Sequence, residues 1–234
     1  MAMSGADRAL IDELRQELRG AADPSRAPRM QAYMKSAMPY LGVDSSGVKA
    51  VCRDVFGRHP LGSLRTWIST VRAMWREASH REERYAAIAL TGLPYYRQHQ
   101  TPAAVPLYEE LITTGAWWDY VDEVAVRRIG PMLLAHSGVI RPLVLDWSTS
   151  PDMWKRRTAI ICQVVAKDRT DLELLYACIE PNTGDREFFI RKAIGWALRA
   201  YAWTDPAAVA TYVELNAGRL SGLSRREALR NVAG

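Results

Sequence analysis

Five alanines occupy the same local setting along this chain, a small residue followed by a branched or larger apolar one. They lie in Lys49-Ala50-Val51, Tyr85-Ala86-Ala87-Ile88, Arg157-Thr158-Ala159-Ile160, Arg191-Lys192-Ala193-Ile194 and Arg226-Glu227-Ala228-Leu229. Positions 50, 87, 159, 193 and 228 are separated by 37, 72, 34 and 35 residues. The gap of 72 is two steps of 36, so a further member is expected near 123, in Val121-Asp122-Glu123-Val124. A period of this length, holding two helices, is the mark of an α-solenoid. The small residue lets neighbouring helices approach, and the branched one fills the layer between them. Chance matching among Ala-rich helices is the competing explanation.

The hydrophobic pattern agrees with an all-α fold. Alternation of the strand type is almost absent. Amphipathic segments of helical period are separated by Pro, Gly, Asp or Ser. The first covers Ala6 to Leu18, with apolar positions at Ala9, Leu10, Leu14 and Leu18. Others are expected over 24–38, 45–56, 61–78, 81–98, 103–114, 117–135, 138–147, 152–167, 170–180, 186–202, 206–215 and 223–231. Pro60, Pro102, Pro151, Pro181 and Pro206 fall at the joints, where a missing N–H and a fixed φ do no harm. The expectation is one domain over 1–234, an α-solenoid of antiparallel helix pairs with a curved, concave face.

Composition narrows the function classes. Apolar residues make up 48% and charged residues 24% of the chain, values typical of a water-exposed globular protein. No apolar run approaches the roughly 18 residues of a membrane span, and Met1 to Ala9 holds no apolar signal core. A cytoplasmic location without membrane association is expected. Cys52, Cys162 and Cys178 form no C-x-x-C pair, and His59, His80, His99 and His136 are scattered, so buried reduced thiols are expected and neither a metal nor a cofactor. No P-loop, dinucleotide fingerprint or G-x-S-x-G elbow is present. The net charge is +5, and only five of the 31 basic residues are lysines. Arginine suits bidentate phosphate recognition, although codon bias in a GC-rich genome gives the same excess.

One group of residues stands out against this background. Trp118 and Asp122 are four apart, so on a helix they share a face. In the repeat frame, Trp118, Asp122, Arg157 and Trp196 fall at roughly 220°, 260°, 160° and 300° from the packed alanine, on one side of helices in three successive repeats. Each alone has an ordinary reading: a core tryptophan, a solvated carboxylate, a basic face. Together they suggest a site. Basic residues recur near the same helices, among them Lys35, Arg127, Arg128, Lys155, Arg156, Arg157, Lys192, Arg199, Arg225, Arg226 and Arg230, a spacing that could track phosphates.

At these residues the sequence resembles the AlkD family of bacterial alkylpurine DNA glycosylases. The matching stretches are Met30-Gln31-Ala32-Tyr33-Met34-Lys35 with Leu41-Gly42-Val43, and Leu107-Tyr108-Glu109-Glu110-Leu111-Ile112. They continue with Trp117-Trp118-Asp119-Tyr120-Val121-Asp122 and Trp154-Lys155-Arg156-Arg157-Thr158-Ala159-Ile160. The run Glu187-Phe188-Phe189-Ile190-Arg191-Lys192-Ala193-Ile194-Gly195-Trp196 and Leu223-Ser224-Arg225-Arg226-Glu227-Ala228 complete the set. They are colinear over nearly the whole chain; the W-W-D and F-F-I runs are the most specific.

The resemblance implies HEAT-like repeats around a DNA-binding cleft. It also implies monofunctional excision, without base flipping, of cationic N3- or N7-alkylated purines from duplex DNA. Asp122 is then the catalytic carboxylate, Trp118 and Trp196 the cleft tryptophans, and Arg157 the cleft arginine. Tyr33 takes the place of the family's N-terminal tyrosine; the family's other basic contacts have no clear match here, and the DNA-contact candidates Lys35, Arg156, Lys192, Arg225 and Arg226 come from the recurring basic residues above. Some resembling members remove bulky minor-groove N3-adenine adducts as self-resistance. The expected protein is a monomer, cytoplasmic and nucleoid-associated when bound to DNA. A non-catalytic repeat protein that recognises damaged or distorted DNA, and a protein scaffold, are the competing functions.

Overall fold

The computed structural model describes residues 5–232. Among these the fold is all-α and the helices pack in a solenoid-like way. The contacts divide the chain into two compact units, residues 1–99 and 100–234. No helix of the described residues is long and apolar enough to cross a membrane.

The first unit holds α1 (Arg8–Gly20), α2 (Ala27–Met34), α3 (Ser45–Arg58), α4 (Leu64–Arg76) and α5 (Arg81–Thr91). Side-chain caps start three of them: Asp7 accepts from the N–H of Leu10, Asp44 from Gly47 and Ser63 from Thr66, each satisfying an otherwise orphan donor. α1 buries Leu10, Ile11, Leu14 and Leu18 against α3 and α5, while Ala9 is exposed. The Leu41-Gly42-Val43 segment is pinned by one buried carboxylate. Glu82 accepts from the N–H of Leu41, Gly42 and Val43 at 3.0, 2.9 and 3.2 Å. Gly42 is required there: its φ is +88°, and a Cβ would stand 2.0 Å from the Asp23 carbonyl oxygen.

The second unit holds α6 (Val105–Gly115), α7 (Trp118–Val124), α8 (Gly130–Ala135), α9 (Ser137–Ser148) and α10 (Met153–Ile161). It continues with α11 (Leu172–Ile179), α12 (Phe188–Tyr201), α13 (Pro206–Leu215) and α14 (Gly222–Ala228). Helices one repeat apart stack in a ladder: α7 on α10, α10 on α12 and α12 on α14. α9 and α11 form part of a second row, and α13 packs on both α12 and α14. Ala159, Ala193 and Ala228 are buried at the ladder contacts, as the repeat requires. In the repeat without a matched alanine, Glu123 is exposed and Val121, Val124 and Ala125 are buried. The register there departs from the sequence frame by up to two residues, and each residue turns the frame by about 100°.

Two prolines inside expected helices explain two further differences. The expected helix over 81–98 ends at Thr91, and Pro94 opens a separate 3₁₀ turn, Pro94–His99. The expected helix over 117–135 is continuous but widens into a π turn at Ala125–Ile129, where the Gly130 N–H bonds the Ala125 carbonyl. Pro131 has no N–H to offer the Arg127 carbonyl four residues back. That carbonyl instead accepts from Nη1 of Arg128 at 3.0 Å. The expected segments 24–38 and 152–167 are shorter in the structure: Lys35 turns left-handed after Met34, and α10 stops at Ile161.

Candidate functional site

Asp122 lies on the short helix α7, which begins at Trp118 with Trp117 as its non-helical cap. Trp118 and Asp122 are one turn apart and both half-buried. From α10, Arg157 reaches across and takes both carboxylate oxygens. Its Nε donates to Oδ1 at 2.7 Å and its Nη2 to Oδ2 at 2.8 Å. The third side of the guanidinium is also used, Nη1 donating to the Phe189 carbonyl at the start of α12 at 2.6 Å. Arg157 is 5% exposed. Three helices that follow one another in the ladder are therefore joined by one side chain.

Burial pushes the Asp122 carboxyl above the ordinary aspartate value; the hydrogen bonds and charge of Arg157 pull it back, and the charge of Asp119 adds to the rise. The arginine thus offsets part of the cost of ionising a desolvated carboxylate. A bidentate fork also fixes its plane, leaving the outer lone pairs to meet a cation or a water.

Around the pair lies an aromatic cluster drawn from the same three helices. The Phe189 ring meets Trp117 edge-on at 5.5 Å and Trp154 at 5.1 Å, and the two tryptophans are 6.3 Å apart. The Arg157 guanidinium carbon lies 5.9 Å from the Phe189 ring centre. Packing thus accounts for Trp117, while its indole N–H is buried without a partner.

Trp196 is on α12, seven residues beyond Phe189 and half-buried. Seven residues are two turns, about 10 Å along the same helical face. The helix is held close to α14 by Gly195, where a Cβ would stand 2.5 Å from the Glu227 Cβ and 3.0 Å from the Ser224 carbonyl oxygen. Glu227 gathers cations, Lys192 Nζ at 3.0 Å and Arg199 Nη1 at 2.6 Å, and these interactions hold its carboxyl below the usual glutamate range, Lys192 foremost.

The remaining candidates are placed as follows. In the first unit, Tyr33 is 77% exposed on α2 and Lys35 is exposed just past its end. Arg225 and Arg226 are exposed on α14. They border a groove of about 420 Å³ between α13 and α14, floored by Ala210, Val213, Ala217 and Leu229. Arg156 is occupied internally, donating to the Ser150 and Pro151 carbonyls and pairing with Asp185 at 2.9 Å. Cys52, Cys162 and Cys178 are free and buried, as expected, and burial pushes the Cys52 thiol up to about 12.

Sequence reasoning gave no role to Phe189, Trp154 or Glu227. Trp154 could have been found, because it lies three residues before Arg157 and so shares its helical face. The Phe189 carbonyl is a backbone contact with no sequence signature.

These features define a helical-repeat protein with a half-buried, arginine-held carboxylate between successive helices. A family profile described as DNA alkylation repair enzyme matches residues 14–232, and the chain belongs to that family. A solved structure described as a predicted DNA alkylation repair enzyme from Enterococcus faecalis superimposes with a TM-score of 0.82 at 27% identity. The match covers 91% of this chain and 97% of that one. No curated protein is similar enough to match.

Proposed function

We propose that the protein is a monofunctional DNA glycosylase, a HEAT-like repeat enzyme that hydrolyses the N-glycosidic bond of cationic N3- or N7-alkylated purines in duplex DNA. The observation that carries this is the half-buried Asp122 carboxylate, held by Arg157 one turn from Trp118, in a chain of the alkylation repair family.

The chemistry needs little more. An alkylated purine already bears positive charge, so the base leaves without a general acid. The C1′–N bond breaks with its electron pair going to the base, which departs neutral. The sugar becomes oxocarbenium-like. A fixed carboxylate stabilises that developing charge. It also orients the attacking water, whose oxygen bonds C1′ and whose proton passes to Asp122 or solvent. The faces of Trp118 and Trp196 add cation–π attraction of about 1–2 kcal/mol when desolvated. The product is an abasic site, and no lysine nucleophile is involved.

Duplex DNA is the proposed partner. Arg157, proposed as the cleft arginine, uses three of its five N–H bonds on Asp122 and Phe189, so its main part in this reading is to hold the carboxylate. Tyr33, Lys35, Arg225 and Arg226, all exposed, are proposed backbone contacts, and Lys192 is a further one. Arg156, held by Asp185, contributes to the positive field. A site that does not enclose the base would accept bulky N3-adenine adducts without flipping.

The test is Asp122→Asn in single-turnover excision of N7-methylguanine, with released base identified by mass spectrometry. Excision is expected to be lost while duplex binding persists. Excision at the wild-type rate would remove the catalytic assignment. An intact wild-type protein that binds the lesion duplex and releases no base would instead support damage recognition without catalysis.

A further inference from the structure

We infer that Phe189 is a positioning residue for Asp122, acting through Arg157; this rests on the glycosylase reading of the Asp122 site. The aromatic cluster takes one residue from each of three elements, and each lies close in sequence to a candidate site residue. Trp117 immediately precedes Trp118, Trp154 is three before Arg157, and Phe189 is seven before Trp196. All three rings are in mutual contact, and Phe189 makes the two closer contacts, at 5.5 and 5.1 Å, against 6.3 Å between the tryptophans.

It also touches the ion pair twice. Its carbonyl accepts from Arg157 Nη1 at 2.6 Å, and its ring lies beside the same guanidinium. With Nη1 fixed, the planar guanidinium cannot rotate about its long axis, so Nε and Nη2 stay aligned with Oδ1 and Oδ2. The wedge of Phe189 between Trp117 and Trp154 sets where that carbonyl stands. Removing the ring lets the start of α12 shift, frees the guanidinium and loosens its grip on the carboxylate.

A loosened grip has a readout that loss of packing alone does not give. The charged groups acting on Asp122 are Arg157 from α10 and Asp119 from its own helix. The other charges on elements packed against α7 are largely engaged: Lys155 with Glu109, Arg156 with Asp185, Arg128 with Glu123. Glu110 and Arg127 lie on the same elements, and Arg191 and Lys192 follow Phe189 on α12. Weakening Arg157 therefore leaves burial and Asp119 to act, and the carboxyl titrates at higher pH.

The experiment uses the full chain with Phe189→Leu, which keeps bulk and removes the ring, and Phe189→Tyr, which keeps the ring. Two quantities are measured: single-turnover release of N7-methylguanine across pH, and the titration of the Asp122 side-chain carboxyl by carbon-13 NMR. In Phe189→Leu, release at neutral pH is expected to fall about tenfold. The acid limb and the NMR titration should both move to higher pH, with affinity for undamaged duplex within about twofold. Phe189→Tyr should restore all three. If Phe189→Leu does not fold, Trp117→Phe, which breaks no hydrogen bond of the buried indole, must move the same quantities in the same direction. An unshifted Asp122 titration in a folded variant overturns the proposal. If the wild type releases no base, the glycosylase reading fails, and the NMR titration alone still decides whether Phe189 positions Asp122.

Discussion

Arg157 spends its Nε and Nη2 on the two oxygens of Asp122, at 2.7 and 2.8 Å, and neither partner is more than slightly exposed. Such a pair is costly to break from one side. Arg157→Met leaves a desolvated carboxylate unpaired, and the expected loss is on the order of 3 kcal/mol. Asp122→Asn keeps an acceptor for one arginine N–H and should cost less. Combining the two changes should cost less than their sum, because the second removes the charge that the first strands. Chemical denaturation of the two single variants and the double variant checks this; strict additivity would mean that the pair contributes no coupling.

The same pair sets the pH behaviour. The Asp122 carboxyl titrates above its ordinary value of 3.8, chiefly through burial. A raised carboxyl favours the protonated folded state. Its contribution to stability is therefore complete below 3.8 and is lost as pH rises through the raised value. Under the proposed mechanism activity runs the other way, because the ionised form is the one that would meet an oxocarbenium-like sugar. The excision rate should rise with pH along an acid limb placed above 3.8. In Arg157→Met that limb should move further up, and thermal melts of wild type against Asp122→Asn should diverge over the same window. A limb at or below the ordinary aspartate value would contradict the burial of this group.

Gly195 precedes Trp196 because α12 and α14 cross there. A methyl at this position would meet the Glu227 Cβ at 2.5 Å and the Ser224 carbonyl oxygen at 3.0 Å, and neither can swing aside as a flexible chain end would. Gly195→Ala gains about 1 kcal/mol of helix propensity and loses about 1–3 kcal/mol to overpacking. The expected outcome is a net loss of about 1 kcal/mol, with Trp196 fluorescence shifted as its helix is pushed off α14. A more stable variant would show that the two helices part without strain.

How far the sequence reaches can be read from particular residues. Ala159, Ala193 and Ala228 carry the repeat because close helix packing needs a small side chain, a requirement that composition exposes. The missing member near 123 is less legible: Pro131 widens the helix there, and the buried positions become Val121, Val124 and Ala125. Helix ends at Thr91 and Met34 depend on Pro94 and on the left-handed turn at Lys35; the first is a visible signal, the second is not. For the site, spacing puts Trp118 beside Asp122 on one helix. The bond from Arg157 to Asp122 crosses 35 residues, so only the repeat period or a family resemblance could suggest it. The bond to the Phe189 carbonyl lies beyond either, since any residue presents the same oxygen.

Trp118 and Trp196 supply the last prediction. Trp118 stands one turn from Asp122, and Trp196 two turns along α12 from Phe189, so each would face a different part of a bound nucleotide. If their π faces stabilise positive charge, Trp118→Ala and Trp196→Ala should each slow N7-methylguanine release by about 5- to 30-fold, the equivalent of 1–2 kcal/mol. Phe at either position keeps a weaker π face and should cost less than Ala. If the two side chains, which come from different helices, act on the charge independently, their losses should add within about 0.5 kcal/mol. Affinity for undamaged duplex, which carries no cationic base, should be nearly unchanged. Equal losses of undamaged-duplex affinity and excision rate would make the tryptophans general DNA contacts, and no loss of rate from either variant would remove the aromatic contribution altogether.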